Sequence, residues 1–116
     1  MRVCLASTSP ARLMLLRQAG IEPSTRAPEV DEEAVVAALE SAEGRVLPPE
    51  EHVLLLARRK AADVVAALLR DEPEFDGIVI GGDSMFAFDG EVLGKPLLPT
   101  VATERWERMR GGTGIL

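Results

Sequence analysis

An apolar run, three consecutive hydroxyl residues and a helical pattern follow one another within Val3–Gly20, VCLASTSPARLMLLRQAG. The run Val3–Ala6 has the length of a buried strand. Ser9 is a good N-cap, because its oxygen can accept an unpaired N–H group of the first helical turn. Pro10 follows at the first helical position, where its missing N–H group costs little, and Gly20 is typical just beyond a helix C-terminus. The stretch predicts a strand, a tight polar loop and a helix. The apolar side of that helix is expected to comprise Leu13, Leu15 and Leu16.

The loop between this strand and this helix has the chemistry of an anion site. Backbone N–H groups and the positive end of the helix dipole converge at a helix N-terminus. Ser7 and Ser9 add hydroxyl groups, and Arg12 can supply a planar guanidinium for a phosphate. An ordinary strand–helix turn with a good cap and an exposed arginine explains the same residues. The loop by itself leaves both interpretations open.

Composition limits the fold to one small domain with an aliphatic core. The chain has 116 residues, of which 47% are hydrophobic and only 3% aromatic. Its net charge of −6 argues against a general nucleic-acid binder. The single cysteine, Cys4, excludes a disulfide framework and is expected to be buried in the first strand. No signal peptide is visible and no apolar run approaches the ~20 residues of a membrane span, so a soluble cytoplasmic protein that binds no membrane is expected.

Strand and helix patterns alternate along the next sixty residues or so. Ile21–Val30 contains two prolines and fits a short edge strand. Asp31 is suited to the N-cap of a helix that follows it. The most regular helix is Pro49–Leu69, whose apolar residues recur at i, i+3, i+4 and i+7. Gly77–Gly81 is a strand of the buried type, bounded by glycine.

A hairpin and a last helix are expected after that strand. Asp89-Gly90 is a strong hairpin-turn signal, with the strands Met85–Phe88 and Glu91–Leu93 on either side of it. Thr100–Arg110 has a helical pattern, and Ile115-Leu116 has the composition of a strand start. No repeat and no linker divides the chain, so residues 1–116 are expected to form one domain.

Four charged residues stand at positions that a purely structural role explains incompletely. Lys60 falls on the apolar stripe of the long helix, where a lysine must either extend its stem to water or meet an anion. Asp83 follows the carboxyl end of a buried strand, which is where open α/β sheets build their sites, although a turn residue is also common there. Glu32 adjoins the cap Asp31, and one carboxylate suffices for a cap. Lys95 follows the hairpin, which is expected to return it to the level of Asp83.

Six short motifs follow one another along almost the whole chain. They are LASTSPARLMLL (5–16), VDE (30–32), LARRKA (56–61), GGDS (81–84), DGEVLGKP (89–96) and RMRGGTG (108–114). Each motif alone is weak. In this order and at this spacing they closely resemble the Maf family of nucleoside triphosphate pyrophosphatases.

The resemblance implies an α/β fold, related to inosine triphosphatase, with a mixed twisted sheet and flanking helices. It implies hydrolysis of a pyrimidine or modified nucleoside triphosphate to the monophosphate and pyrophosphate, a house-cleaning reaction that uses a divalent metal, usually Mg²⁺. Asp83 would be the general base or a metal ligand, and Glu32 would help to hold the metal. The groups that bind the phosphates would be Ser7, Ser9, Arg12, Lys60 and Lys95.

The sequence also departs from the family pattern. Ala11 and Gly112 stand where the family usually has arginine, and Gly82 and Ser84 are milder changes around Asp83. Family members are longer, so the chain is expected to be a Maf-like nucleotide-binding domain without the second half of the fold. It would be complete as a homodimer or within a longer chain. The alternatives are a non-catalytic nucleotide-binding remnant or fragment with a regulatory or structural role, and a purely structural or interaction domain.

Overall fold

A computed structural model describes residues 1–94 and 97–116 and divides the chain into two units, Met1–Asp83 and Ser84–Leu116. The first unit contains three strands and three helices. In chain order they are β1 (Arg2–Ala6), α1 (Pro10–Gln18), β2 (Ser24–Thr25), α2 (Glu32–Glu43), α3 (Pro49–Asp71) and β3 (Gly77–Gly81). These bounds confirm the predicted elements to within one or two residues at most ends, and β2 is the short core of the predicted edge strand. The expectation of one domain stays a prediction.

The three strands of the first unit form a parallel sheet in the order β2-β1-β3. Cys4 pairs with Ser24 on one side and with Val79 on the other. At the carboxyl end of the sheet, Ala6 pairs with Gly81. The strands β1 and β3 therefore end at the same level, and the residues that follow them emerge side by side.

Helix α3 takes part in both hydrophobic clusters of the first unit. Its residues Val64 and Leu68 are buried against Cys4 and Ala6 of β1, in a cluster that Phe75 and Val79 extend. A second cluster joins α3 to α2 and to the loop between them, through Leu56, Val36 and Leu47. The apolar stripe predicted for this helix thus faces the sheet and α2, and the predicted burial of Cys4 is confirmed.

The N-termini of the short helices α1 and α2 are capped by the predicted residues. The hydroxyl oxygen of Ser9 accepts a hydrogen bond from the Arg12 N–H group at 3.3 Å, and the Asp31 carboxylate accepts one from the Ala34 N–H group at 3.1 Å. Gly20, just beyond α1, has a φ of 82°, which favours glycine. The expected apolar side of α1 is wrong in one residue. Leu15 is 61% exposed, because it lies about 200° around the helix from Leu13.

The strand β2 is tied to the end of α3. The Arg26 N–H group donates to the Leu5 carbonyl oxygen at 3.0 Å, which continues the pairing beyond Thr25. The Arg26 guanidinium contacts the Asp71 carboxylate at 2.5 Å, and this hydrogen bond lowers the pKa of Asp71. A backbone hydrogen bond to β1 and a side-chain ion pair to α3 therefore both hold the edge strand in place.

The cap of α2 offers a test of this local description. Asp31→Ala removes the acceptor for the Ala34 N–H group, and the free energy of unfolding is expected to fall by about 1 kcal/mol. Chemical denaturation measures the change. Glu33→Ala removes a carboxylate from the same helical turn without removing a cap, so it is the matched control and should change stability less. Equal losses in the two variants would contradict the capping role of Asp31.

The second unit is a hairpin followed by a helix. Strands β4 (Phe86–Phe88) and β5 (Glu91–Leu93) pair antiparallel, and α4 covers Pro99–Met109. Asp89 and Gly90 have φ values of 51° and 77°, as the tight hairpin turn requires. Ile115 pairs with Ala87 on the other side of β4, so the strand-like character of the last residues is confirmed.

The fold class is α/β with helices flanking a sheet, as predicted, and the three-stranded sheet of the first unit is parallel. Antiparallel pairing occurs in the second unit, between β4 and β5 and between Ala87 and Ile115. Across the part of the chain that the structure describes, no helix combines the length and the apolar character needed to cross a membrane.

Candidate functional site

The carboxyl ends of β1 and β3 bring two of the predicted motifs together. Ser7 directly follows β1, and Gly82 and Asp83 directly follow β3. Because Ala6 and Gly81 are paired in register, these residues leave the sheet at neighbouring positions. Ligands of open α/β sheets bind at this edge. The sheet therefore places the hydroxyl-rich loop next to the carboxylate of Asp83.

The hydroxyl groups of the loop shape it. Ser7 is only 7% exposed. Its oxygen accepts hydrogen bonds from the Ser9 N–H group at 3.0 Å and from the Arg12 Nη1 group at 3.2 Å. The Ser9 oxygen in turn accepts from the Arg12 N–H group. The two serines thus fold the loop onto the start of α1 and hold the Arg12 side chain over it.

Arg12 also lies against the residue before Asp83. A Cβ atom built on Gly82 would be 3.3 Å from the Nε atom of Arg12 and 3.5 Å from its Cδ atom. The guanidinium is therefore positioned by Ser7 on one side and by the backbone of Gly82 on the other. A positive group with fixed orientation at the carboxyl edge of the sheet suits an anion such as phosphate.

Lys60 of α3 meets two carboxylates. Its Nζ atom is 3.0 Å from Oδ1 of Asp83 and 3.3 Å from Oε1 of Glu32. The side chains of Lys60 and Asp83 are only 12% and 14% exposed, whereas that of Glu32 is 50% exposed. Of the two explanations left open for a lysine on an apolar stripe, contact with an anion is the one observed. The anions are carboxylates of the same chain.

A close approach of β3 and α3 makes this contact possible. A Cβ atom on Gly81 would overlap the carbonyl oxygen of Ala57 and would lie 3.0 Å from the Cβ atom of Ala61. Glycine at this position lets the strand end lie directly on the helix, next to Lys60.

The structure thus arranges six of the seven predicted site residues in two adjoining sets. Ser7, Ser9 and Arg12 form one set, and Glu32, Lys60 and Asp83 form the other. Lys95 lies outside the described residues, so its role stays a prediction. The pairing of Lys60 with Asp83 and Glu32 was not predicted from the sequence. The available signal was the placement of Lys60 on the apolar side of its helix.

The donor set agrees with a metal ion held jointly by protein and substrate. Among the described residues, no group of three or more histidine, cysteine, aspartate and glutamate side chains is placed to hold a metal ion. Glu32 and Asp83 nevertheless bring two carboxylates to the same ammonium group. Magnesium commonly uses one or two carboxylates and completes its shell with water and substrate phosphates. The two carboxylates fit that kind of site.

The fold is that of an α/β protein with a parallel sheet, and a helix N-terminus at the carboxyl edge of such a sheet is a common place for anionic ligands to bind. Residues 2–116 match the sequence model of a family described as "Maf-like protein". The chain belongs to the Maf family, which confirms the resemblance inferred from the six motifs.

Curated relatives carry a common name. A protein of Leifsonia xyli subsp. xyli is 56% identical over 116 residues, and one of Corynebacterium efficiens is 46% identical over 117 residues. Both alignments cover 100% of this chain and 53% of the relative. A protein of Rhodococcus jostii is 49% identical over 112 residues, which is 97% of this chain and 50% of the relative. All three are named nucleoside triphosphate pyrophosphatase. The chain spans about half the length of the curated relatives it matches.

Proposed function

We propose that this chain takes part in hydrolysing a nucleoside triphosphate to the monophosphate and pyrophosphate. The observation that carries the proposal is the Asp83–Lys60 pair, which joins a carboxylate and an ammonium group at 3.0 Å at the carboxyl edge of the sheet. Arg12 lies beside Gly82 at the same edge. The name of the relatives supports the reaction class. A pyrimidine or modified nucleoside triphosphate is the proposed substrate.

The triphosphate would lie over the loop that follows β1. The N–H groups at the start of α1 and the guanidinium of Arg12 would bind its oxygens. Ser7 and Ser9 would act mainly by holding that loop and Arg12 in place, since their oxygens already accept hydrogen bonds within it. Lys60 would add positive charge from α3, and Lys95 is proposed to do so from beyond the hairpin. Cations placed around the transferred group supply most of the catalysis in phosphoryl transfer.

Asp83 would prepare the attacking water. Its carboxylate would accept a proton as the water oxygen bonds to the α-phosphorus and the bond to the departing pyrophosphate breaks. Partial burial and the contact with Lys60 keep the carboxylate in one orientation. The product then carries the water oxygen on its monophosphate.

Glu32 and Asp83 would hold a divalent metal, with Mg²⁺ proposed. A bound divalent metal neutralises phosphate charge and makes a bound water easier to deprotonate. In the proposed site, Asp83 contributes a carboxylate oxygen from the end of β3, and Glu32 contributes one from the first turn of α2. Asp31 helps indirectly, because it caps the helix that carries Glu32.

Pyrophosphate release tests the proposal. The purified 116-residue chain is assayed with a panel of canonical and modified nucleoside triphosphates, with Mg²⁺ or with EDTA. We expect release that requires the metal and that differs among the bases. We also propose that the active species is a homodimer, because α1 leaves the apolar side chains of Met14 and Leu15 exposed. The molecular mass of the same preparation, measured by light scattering, tests this.

Two results would redirect the proposal. Nucleotide binding without pyrophosphate release, seen as a rise in melting temperature, would indicate the non-catalytic nucleotide-binding role. The absence of arginine at Ala11 and Gly112 favours this second candidate, because each position removes a positive charge from a family motif. Neither binding nor release would indicate a structural or interaction domain.

A further inference from the structure

Lys60 occupies the space between the two carboxylates to which the metal is assigned. Its ammonium group lies 3.0 Å from Oδ1 of Asp83 and 3.3 Å from Oε1 of Glu32. The ammonium is largely enclosed, because only 12% of the Lys60 side chain is exposed. The contact with Asp83, whose side chain is 14% exposed, is therefore not one of the loose surface ion pairs that water readily replaces.

A metal ion and this ammonium group compete for the same oxygens. Magnesium binds carboxylate oxygens at about 2.1 Å, and the ammonium already lies against one oxygen of each carboxylate. Two like-charged ions at such separations repel strongly in a partly buried site. With Lys60 in place the pair of carboxylates carries a net charge of −1, and without it −2. The attraction for a free divalent ion is lower in the first case.

The alternative partner for Lys60 is a phosphate group. Lysine has a compact charge on a flexible stem, so its ammonium can move by several bond rotations without moving the helix. Arg12 lies beside Gly82, the neighbour of Asp83, and marks the place where phosphate oxygens are proposed to bind. A triphosphate there would offer Lys60 new acceptors within reach of its stem.

We propose that Lys60 is an internal counter-cation that keeps free divalent metal out of the Glu32–Asp83 pair and releases the pair when a triphosphate binds. Metal and triphosphate would then enter together, and each would raise the affinity of the other, since coupling between two sites is reciprocal. The inference rests on the proposed function for the identity of the ligand. It assigns to Lys60 a control over metal entry in addition to neutralising phosphate.

The first arm of the test measures Mn²⁺ binding without nucleotide, by the loss of the free-ion signal in electron paramagnetic resonance. Lys60→Met keeps the length of the side chain and removes its charge. We expect it to bind Mn²⁺ roughly 5- to 150-fold more tightly than the wild-type chain, the usual range for coupled sites. Arg59→Met removes the same charge from an exposed position of α3 and should leave the affinity unchanged. Adding Glu32→Gln to Lys60→Met should reverse the gain.

The second arm measures the affinity for inorganic tripolyphosphate by calorimetry, with Mn²⁺ or with EDTA. The wild-type chain should bind it more tightly with Mn²⁺, and Lys60→Met should show a smaller ratio between the two conditions. Neither arm requires hydrolysis, so a chain that shows both effects but releases no pyrophosphate keeps this inference and loses the catalytic proposal. The reverse outcome is also possible to recognise. If the wild-type chain releases pyrophosphate but binds free Mn²⁺ as tightly as Lys60→Met, the catalytic proposal is kept and this inference is lost.

Folding of the variants is verified by circular dichroism, and Lys60→Gln replaces Lys60→Met if the latter does not fold. If neither variant folds, the inference is tested on the wild-type chain alone. Its affinity for Mn²⁺ is measured with and without tripolyphosphate and corrected for the Mn²⁺ that tripolyphosphate itself binds. Equal affinities in the two conditions overturn the inference. Affinity that rises with tripolyphosphate supports it.

Discussion

Asp83→Asn is expected to lower metal-dependent pyrophosphate release by about 10²- to 10⁴-fold, the usual contribution of a positioned general base. The amide has the shape of the carboxylate and can still accept a hydrogen bond from Lys60, but it cannot take a proton from water. The variant should remain folded, because Asp83 lies at the end of β3 and outside both hydrophobic clusters. Initial rates of pyrophosphate release measure the first effect, and thermal unfolding measures the second.

Asp76→Asn is the matched control for this prediction. Asp76 precedes the same strand at its amino end, where its side chain is exposed, so the chemical change is identical and the site is remote. We expect its rate to equal that of the wild-type chain. Full turnover by Asp83→Asn would show that Asp83 is not the base. An equal loss in both variants would point to a general effect of lost charge.

Gly81→Ala is expected to lower the free energy of unfolding by about 3 kcal/mol, the upper end of the usual cost of overpacking a core. The added Cβ atom would overlap the carbonyl oxygen of Ala57, and backbone atoms cannot move aside as a flexible side chain can. Helix α3 and strand β3 would have to separate. Because Lys60 lies on α3 and Asp83 follows β3, the separation should also weaken their contact.

Gly82→Ala is the comparison that isolates this effect. A Cβ atom there meets the Arg12 side chain at 3.3 Å, and that side chain can shift by a few tenths of an ångström. Urea denaturation of the two variants gives the difference in stability. We expect Gly82→Ala to stay within about 0.5 kcal/mol of the wild-type chain, as for most substitutions that meet no packed core. Equal stability of the two variants would show that β3 and α3 are not in close contact at Gly81.

The local elements were predictable because their causes lie close together in the sequence. Ser9 caps α1 and Asp31 caps α2 through N–H groups three residues further on. The turn at Asp89-Gly90 needs left-handed backbone at both residues, and these residue types tolerate it. The regular spacing of apolar residues predicted α3 because one face of a helix repeats every three or four residues.

The pairing of the charged residues was not predictable in the same way. Lys60 is separated from Asp83 by 23 positions, and nothing in the spacing indicates which anion the lysine meets. Leu15 has the composition of a core residue but is exposed, because the direction in which α1 meets the sheet decides which of its leucines are covered. Both results depend on how helices and strands pack against one another, and these contacts join segments that are far apart in the sequence.

The sequence by itself determined the α/β fold class, the helix starts, the hairpin turn and the set of residues that resemble the Maf family. These follow from local backbone preferences and from the order of short motifs. Only the tertiary structure decided that Ser7 is buried as an acceptor for Arg12 and that Lys60 pairs with Glu32 and Asp83. The physical reason is the parallel register of β1 and β3 and the glycine contact between β3 and α3, which set the distances among side chains that are far apart along the chain.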